Sequence, residues 1–231
     1  MQLKKRKQGG MGLVEIIIGL AIMGAVLGYL VRMNARAESQ TMGRARADAL
    51  ASFQQLAGQF FLGNRAGIES AMGGDSALAS DLCRINVAAD GTGGTTTMNS
   101  TKRTCAFDST LLKAKGGWPS GQMLNVSSNT RYVAIARQIM SNDAVPEPTG
   151  DVEMLVVMAQ LDATGNVMTS GTVTFTGDKE KAMQEIKAGM DALGGTGGYI
   201  PPGSDTGPCR YNATVKQACG NGWSVSLNDF L

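Results

Sequence analysis

The chain has 231 residues, of which 43% are hydrophobic, 17% are charged and none is histidine. Without histidine there is no Ser-His-Asp or Cys-His catalytic site, and no metal site that needs imidazole. Of the 21 basic residues, four lie in the first ten positions, where no acidic residue occurs. A nucleic-acid-binding protein spreads its basic residues over a folded face, so this single terminal cluster predicts no nucleic-acid partner.

An apolar run whose only charge is Glu15 follows that cluster, over residues 11–31. As a helix it would span roughly 31 Å at about 1.5 Å per residue, close to the ~30 Å hydrocarbon core of a bilayer. The basic cluster is expected to stay in the cytoplasm, which places everything after Arg32 across the membrane. An ionisable group costs about 2.5–3.5 kcal/mol at the centre of a membrane helix, so we expect Glu15 to have a function and a partner.

A cut between Gly10 and Met11 would supply that partner, because Met11 would then carry a free α-amino group. This amine would lie one helical turn from Glu15, and among staggered parallel helices Glu15 would meet the amine of a neighbouring chain. Two unit charges about 4 Å apart at an effective dielectric of about 20 attract by ~4 kcal/mol before desolvation. Such a pair is strong enough to set the axial register of a helix bundle.

The stretch KKRKQGGMGLVEIIIGLAIMGAV resembles the class III signal of type IV pilins and related pseudopilins. The match consists of a basic leader, Gly10, a long apolar stretch and Glu15 at the fifth position after Gly10, and it covers about residues 1–50. The resemblance implies that a prepilin peptidase removes residues 1–10 as a leader and methylates Met11, and that Glu15 guides assembly. Methionine at the first mature position looks more like the type IVb branch.

One continuous helix is predicted from about Leu13 to Leu62, since no proline precedes Pro119 and residues 32–62 are rich in good helix formers. Residues 11–31 would be its transmembrane and assembly half, and residues 32–62 an amphipathic half that packs on a globular domain. The apolar positions of the second half recur at three- and four-residue spacings: Ala49, Leu50, Phe53, Leu56, Ala57, Phe60 and Phe61.

Residues 63–231 are predicted to form a disulfide-containing head, and the chain as a whole an α+β fold. In it the helical spine packs on an antiparallel sheet of about four to six strands. Strands are expected at residues 131–140 and 152–161, the second in the centre of the sheet because it is nearly all apolar. A hairpin turn over residues 162–166 would lead into a returning strand.

An amphipathic helix is predicted between a cap at Asp178 and an end at Gly194. Shorter helices are expected within residues 67–82, broken at Gly73-Gly74, and within residues 107–115. Residues 89–104 are interpreted as a polar loop, and the C-terminal stretch from Cys209 as one or two short strands.

All four cysteines, Cys83, Cys105, Cys209 and Cys219, follow the apolar segment, on the side of the membrane where disulfides form. Four cysteines allow three connectivities, of which sequence proximity favours Cys83–Cys105 with Cys209–Cys219. Pairing of an early with a late cysteine would resemble the large C-terminal disulfide loop of some pilins, and stays open. With no C-x-x-C pair and no histidine, no metal and no cofactor are predicted.

These features favour a structural protein over an enzyme. We expect a type IV pilin that starts in the bacterial inner membrane with a periplasmic head and ends in an extracellular helical filament of identical copies. The resemblance implies further partners, namely other pilins, an assembly ATPase with its inner-membrane platform, and a secretin. The alternatives are a minor pilin at the tip, a type II secretion pseudopilin, and an exported periplasmic enzyme with an ordinary signal peptide.

Overall fold

A computed structural model describes residues 13–119, 130–167, 179–201, 209–212 and 214–230. The side chains of residues 13–26 and 179–180 lie outside that description. The predicted cleavage site at Gly10 and Met11 therefore falls outside the described residues, as do the side chain of Glu15 and the predicted cap at Asp178.

The first element is a single helix of 51 residues, α1 (Leu13–Gly63). It confirms the predicted uninterrupted helix, and at its end the side-chain amide of Asn64 donates to the Phe60 carbonyl oxygen at 2.9 Å. The surroundings of α1 change at Ser39, because the described side chains between Leu27 and Glu38 are all exposed. From there onward one face is buried, at Ser39, Gly43, Ala47, Phe53 and Ala57. The helix therefore packs on the head from Ser39 onward, and the described residues before Ser39 project beyond the head.

Four shorter helices belong to the head. They are α2 (Arg65–Met72), α3 (Ser76–Leu82), α4 (Ser109–Ala114) and α5 (Lys179–Leu193). The first three confirm the predicted short helices. The chain turns between α2 and α3 at Gly74, whose φ of 111° favours glycine. The helix α5 ends as predicted at Gly194, which has a φ of 63°.

Nine strands lie in three antiparallel sheets. A two-stranded sheet pairs β1 (Arg84–Ile85) with β2 (Thr95–Thr96). A four-stranded sheet has the order β3 (Met98–Asn99), β4 (Thr104–Asp108), β5 (Thr130–Met140), β6 (Pro148–Gln160). A three-stranded sheet has the order β7 (Gly198–Tyr199), β8 (Gln217–Gly220), β9 (Trp223–Ser226). These counts refer to the residues described above.

The α+β class is confirmed, but the prediction of one sheet is wrong, because the strands divide among three. The predicted loop over residues 89–104 contains β2 and β3. The central place predicted for residues 152–161 is not tested, because β6 pairs with β5 on one side and the strand predicted for its other side lies mostly outside the described residues. The hairpin turn after β6 is confirmed by a bridge between Leu161 and Val167, while most of the predicted returning strand lies outside the described residues.

The strand β5 divides the interior into two apolar clusters through its two-residue period. Tyr132, Ala134 and Ala136 face the cluster that contains α1, whereas Val133 and Ile135 face a second cluster that contains Phe230. In the first cluster Phe53 of α1 stacks on Tyr132, with ring centroids 5.6 Å apart. This arrangement anchors the second half of α1 against the four-stranded sheet.

The contact between α1 and α5 leaves no room for a side chain at Gly43. A Cβ atom there would overlap the Glu185 carbonyl oxygen and lie 3.0 Å from the Ala188 Cβ. We expect Gly43→Ala to lower the free energy of unfolding by about 1–3 kcal/mol, because the helices must move apart. Thermal unfolding followed by circular dichroism measures the change.

Gly58→Ala is the matched control in the same helix. Its Cβ would meet only the flexible end of Met154, at 4.0 Å. We expect a gain of up to about 1 kcal/mol, since alanine is the better helix former. Equal effects of the two substitutions would contradict the close contact at Gly43.

Candidate assembly surface

The projecting part of α1 carries a group of exposed apolar side chains. Leu27, Tyr29, Leu30, Val31 and Met33 are each 48–67% exposed. Apolar side chains gathered on one exposed segment indicate an interaction surface more strongly than single exposed ones do. We call residues 27–38 the projecting segment.

Basic side chains share this part of the helix. Arg32, Arg36 and Arg44 are exposed, and none of them forms an ion pair or hydrogen bond with any residue that the structure describes. Arg32 and Arg36 precede the buried residues Ser39 and Gly43 by seven positions each, so they continue the same helix face beyond the edge of the head.

Within the described parts of the chain, no helix combines the length and the apolar character needed to cross a membrane.

The helices α1 and α5 contact each other at the end of the head nearest the projecting segment. An ion pair joins Arg46 to Glu185, and Lys181 Nζ lies 3.6 Å from Glu38 Oε1. Both pairs link one helix to the other, and together with the close contact at Gly43 they hold α5 across the buried face of α1.

The Tyr132 ring lies beneath this junction, and its hydroxyl donates to the Arg46 carbonyl oxygen at 3.4 Å. Burial raises the pKa of Tyr132 to about 12, an effect that the positive charge of Arg46 only partly offsets. The cause is desolvation, because a tyrosinate at this position would be charged and removed from water.

Alkaline unfolding is expected to reflect Tyr132. The folded state keeps this proton up to a pKa of about 12, whereas the unfolded chain releases it at the ordinary 10.0. The stabilisation is therefore complete below pH 10 and is lost as the pH rises through that interval. Tyrosinate absorbance measured against pH is expected to show one of the four tyrosines ionising late, and Tyr132→Phe is expected to remove that step. Ionisation of all four tyrosines near their ordinary pKa would contradict the burial effect.

A buried polar cluster lies on the face of β5 opposite to Tyr132. The Asp108 carboxylate is completely buried and caps α4, where Oδ1 accepts from the backbone N–H groups of Thr110 at 3.0 Å and Leu111 at 3.1 Å. Its Oδ2 accepts from the Asn86 N–H at 3.0 Å and from Arg131 Nη1 at 3.1 Å. With donors on both oxygens, this carboxylate is a structural group.

Arg131 extends the cluster to the turn after β6. Its Nη1 donates to Asn86 Oδ1 at 2.9 Å, and its Nη2 donates to the Gly165 carbonyl oxygen at 2.7 Å. Asn86 Oδ1 also accepts from the Val167 N–H at 2.7 Å. The sequence analysis missed this cluster, and no local pattern signals it, because Asn86 and Arg131 are 45 residues apart in the chain.

The four cysteines form two disulfides, Cys83–Cys105 and Cys209–Cys219. This is the connectivity that sequence proximity favours, and it excludes the long-range alternative. Cys83–Cys105 is fully buried in the core beside α1, where it joins the end of α3 to β4. Among the residues in the described ranges, no group of three or more metal-binding side chains is close enough together to hold an ion.

These features provide a rigid head, a helix that projects from it, and an exposed apolar and basic surface on that helix. No protein-family model, curated protein or solved structure matches this chain.

Proposed function

We propose that the chain is a structural subunit of a type IV pilus that polymerises through α1 after its leader is removed. The observation that carries the proposal is the projecting segment, whose exposed apolar side chains lie at the end of the apolar run of residues 11–31 and just after it. Such a surface needs either lipid or other helices around it, and a pilin uses the first before assembly and the second afterwards.

The physical mechanism is transfer of α1 from lipid into a bundle of identical helices. Packing within the bundle replaces packing against lipid, while the Met11 amine of one copy and Glu15 of another set the axial stagger. Removal of the leader exposes that amine and deletes four positive charges that resist extraction from the membrane.

The partners in this proposal are further copies of the chain and other pilins, a prepilin peptidase, an assembly ATPase with its platform, and a secretin. The head stays in the periplasm until the subunit enters the extracellular filament. The two disulfides suit that route, because both compartments are oxidising.

The mature N-terminus tests the proposal directly. Mass spectrometry of the exported protein is expected to find Met11 as its first residue, carrying one methyl group on the α-amine. Gly10→Val is expected to block the cut, because a branched side chain replaces glycine next to the scissile bond. An N-terminus at Glu38, after the small-residue triplet of residues 35–37, would instead assign the apolar run to an ordinary signal peptide.

A further inference from the structure

The basic face of α1, formed by Arg32 and Arg36, has no cover from the described part of its own chain. Arg32 and Arg36 lie on the same helix face that the head buries from Ser39 onward. Before Ser39 this face is exposed in the described part of the chain. Tyr29 and Met33 lie among these arginines on the helix surface, so the open face offers both charge and apolar area.

An opposite charge lies on the connection between β5 and β6 together with the first four residues of β6, a stretch that we call the acidic hairpin (residues 141–151). This stretch contains Asp143, Glu147 and Asp151 and no basic residue. All three carboxylates are exposed, and none has an ion pair with the residues that the structure describes. Val145 at the tip is 75% exposed, which adds an apolar contact of the kind that the basic face also presents.

The two surfaces lie at opposite ends of the molecule. The start of β6 lies near the C-terminal end of α1. Met154 is beside Gly58, and Arg65, just after α1, donates to the Gly150 carbonyl oxygen at 2.5 Å. The acidic hairpin is therefore at the Gly63 end of α1, whereas the basic face begins before Ser39. At about 1.5 Å per residue, the helix between Ser39 and Gly63 separates them by roughly 36 Å.

We propose that the acidic hairpin of one copy docks on the basic face of α1 in the next copy. The inference rests on the proposed filament function and adds a specific contact to it. The exposed carboxylates of the acidic hairpin are opposite in charge to Arg32 and Arg36, and neither set has an ion pair within the described part of its own chain. Because the two surfaces differ, the contact is head-to-tail, and such a contact produces an open filament when its rotation does not close into a ring.

A membrane surface is the competing occupant of the basic face, since arginines beside an apolar helix also attract anionic lipid headgroups. A second copy is favoured because lipid would leave the acidic hairpin without a complement. The chain itself supplies a surface of opposite charge near the other end of the head.

Reciprocal charge reversal in the full chain, expressed in its native assembly system, tests the contact. The basic-face variant is R32E/R36E, the hairpin variant is D143R/E147R, and the third chain combines all four changes. Lys187→Glu and Asp191→Arg on α5 serve as controls, because both residues are exposed and without ion pairs among the described residues. Filaments sheared from cells are quantified against total subunit, and thiol titration confirms that each variant forms its disulfides.

Each double variant is expected to lower the filament fraction about tenfold, because attraction between copies becomes repulsion. The filament fraction of the combined chain is expected to recover to within about threefold of that of the unaltered chain, because charge pairs act by complementarity and not by net charge. The filament fractions of the two control variants are expected to stay within the same range. Raising the salt concentration is expected to weaken the unaltered filaments and not their disulfides.

Normal filaments from both double variants, or no recovery in the combined chain, would overturn the contact and leave the filament function standing. Loss of the R32E/R36E subunit from the membrane before assembly, without recovery on hairpin reversal, would assign the basic face to lipid and also overturn it. Absence of filaments from the unaltered chain would overturn the proposed function itself.

Discussion

Replacing Glu15 by valine is expected to abolish incorporation into filaments and to leave membrane insertion intact. Valine removes the carboxylate that, in the proposed filament, meets the Met11 amine of a neighbouring copy, an attraction of about 4 kcal/mol before desolvation at an effective dielectric of about 20. The same change makes the apolar run more hydrophobic, so insertion into lipid is favoured. The amount of filament is therefore expected to fall, while the amount of subunit inserted in the membrane is not.

Fractionation separates the two outcomes, since subunit in the membrane pellet reports insertion and subunit in the sheared fraction reports polymer. Asp48→Ala is the matched control, because Asp48 is an exposed acid on the same helix with no ion pair among the described residues. A normal amount of Glu15→Val filament would refute the register role of this carboxylate.

Replacing Arg131 by methionine is expected to lower the free energy of unfolding by about 3–5 kcal/mol, because it leaves a buried carboxylate without its counter-charge. Asp108 is completely buried and the Arg131 side chain is 11% exposed, so neither charge is well solvated in the folded protein. The loss is expected to loosen α4 and the turn at residues 162–166 together, since Arg131 and Asn86 join them. Chemical unfolding of the full chain in detergent measures the difference.

Lys115→Met supplies the control for an ion pair at the surface. Lys115 pairs with Asp81, and both side chains are substantially exposed, so we expect a change of at most about 1 kcal/mol. Asp108→Asn together with Arg131→Met is expected to cost less than the sum of the single changes, because each removes a partner of the other. Additive effects would show that the two side chains act independently.

Local patterns predicted the elements that depend on short-range periodicity. The helix α1 was predictable because its good helix formers run without proline to Gly63, and α5 because its apolar residues repeat at helical spacing before Gly194. The turn after β6 follows from a short polar segment between two apolar runs, where Asp162 Oδ1 accepts from the Thr164 N–H at 2.8 Å. The nearest-neighbour disulfides required only proximity along the chain.

The place of β6 in the sheet was not predictable in the same way. An apolar strand can be buried between neighbours or covered on one face, and its composition does not distinguish the two. In the structure β5 lies between β4 and β6, whereas the residues predicted to form a second neighbour of β6 lie mostly outside the described ranges.

By itself the sequence determined the long helix, the basic charge of residues 1–10 and the position of Glu15 within the apolar run. Only the tertiary structure decided which surfaces stay open. The balance of Asp108 with Arg131, the contact of α5 with Gly43, and the separation of the basic face from the acidic hairpin all join residues far apart in the chain. Helical periodicity is a pattern over a few neighbouring residues, whereas burial and charge pairing depend on which distant residues the folded chain brings into contact.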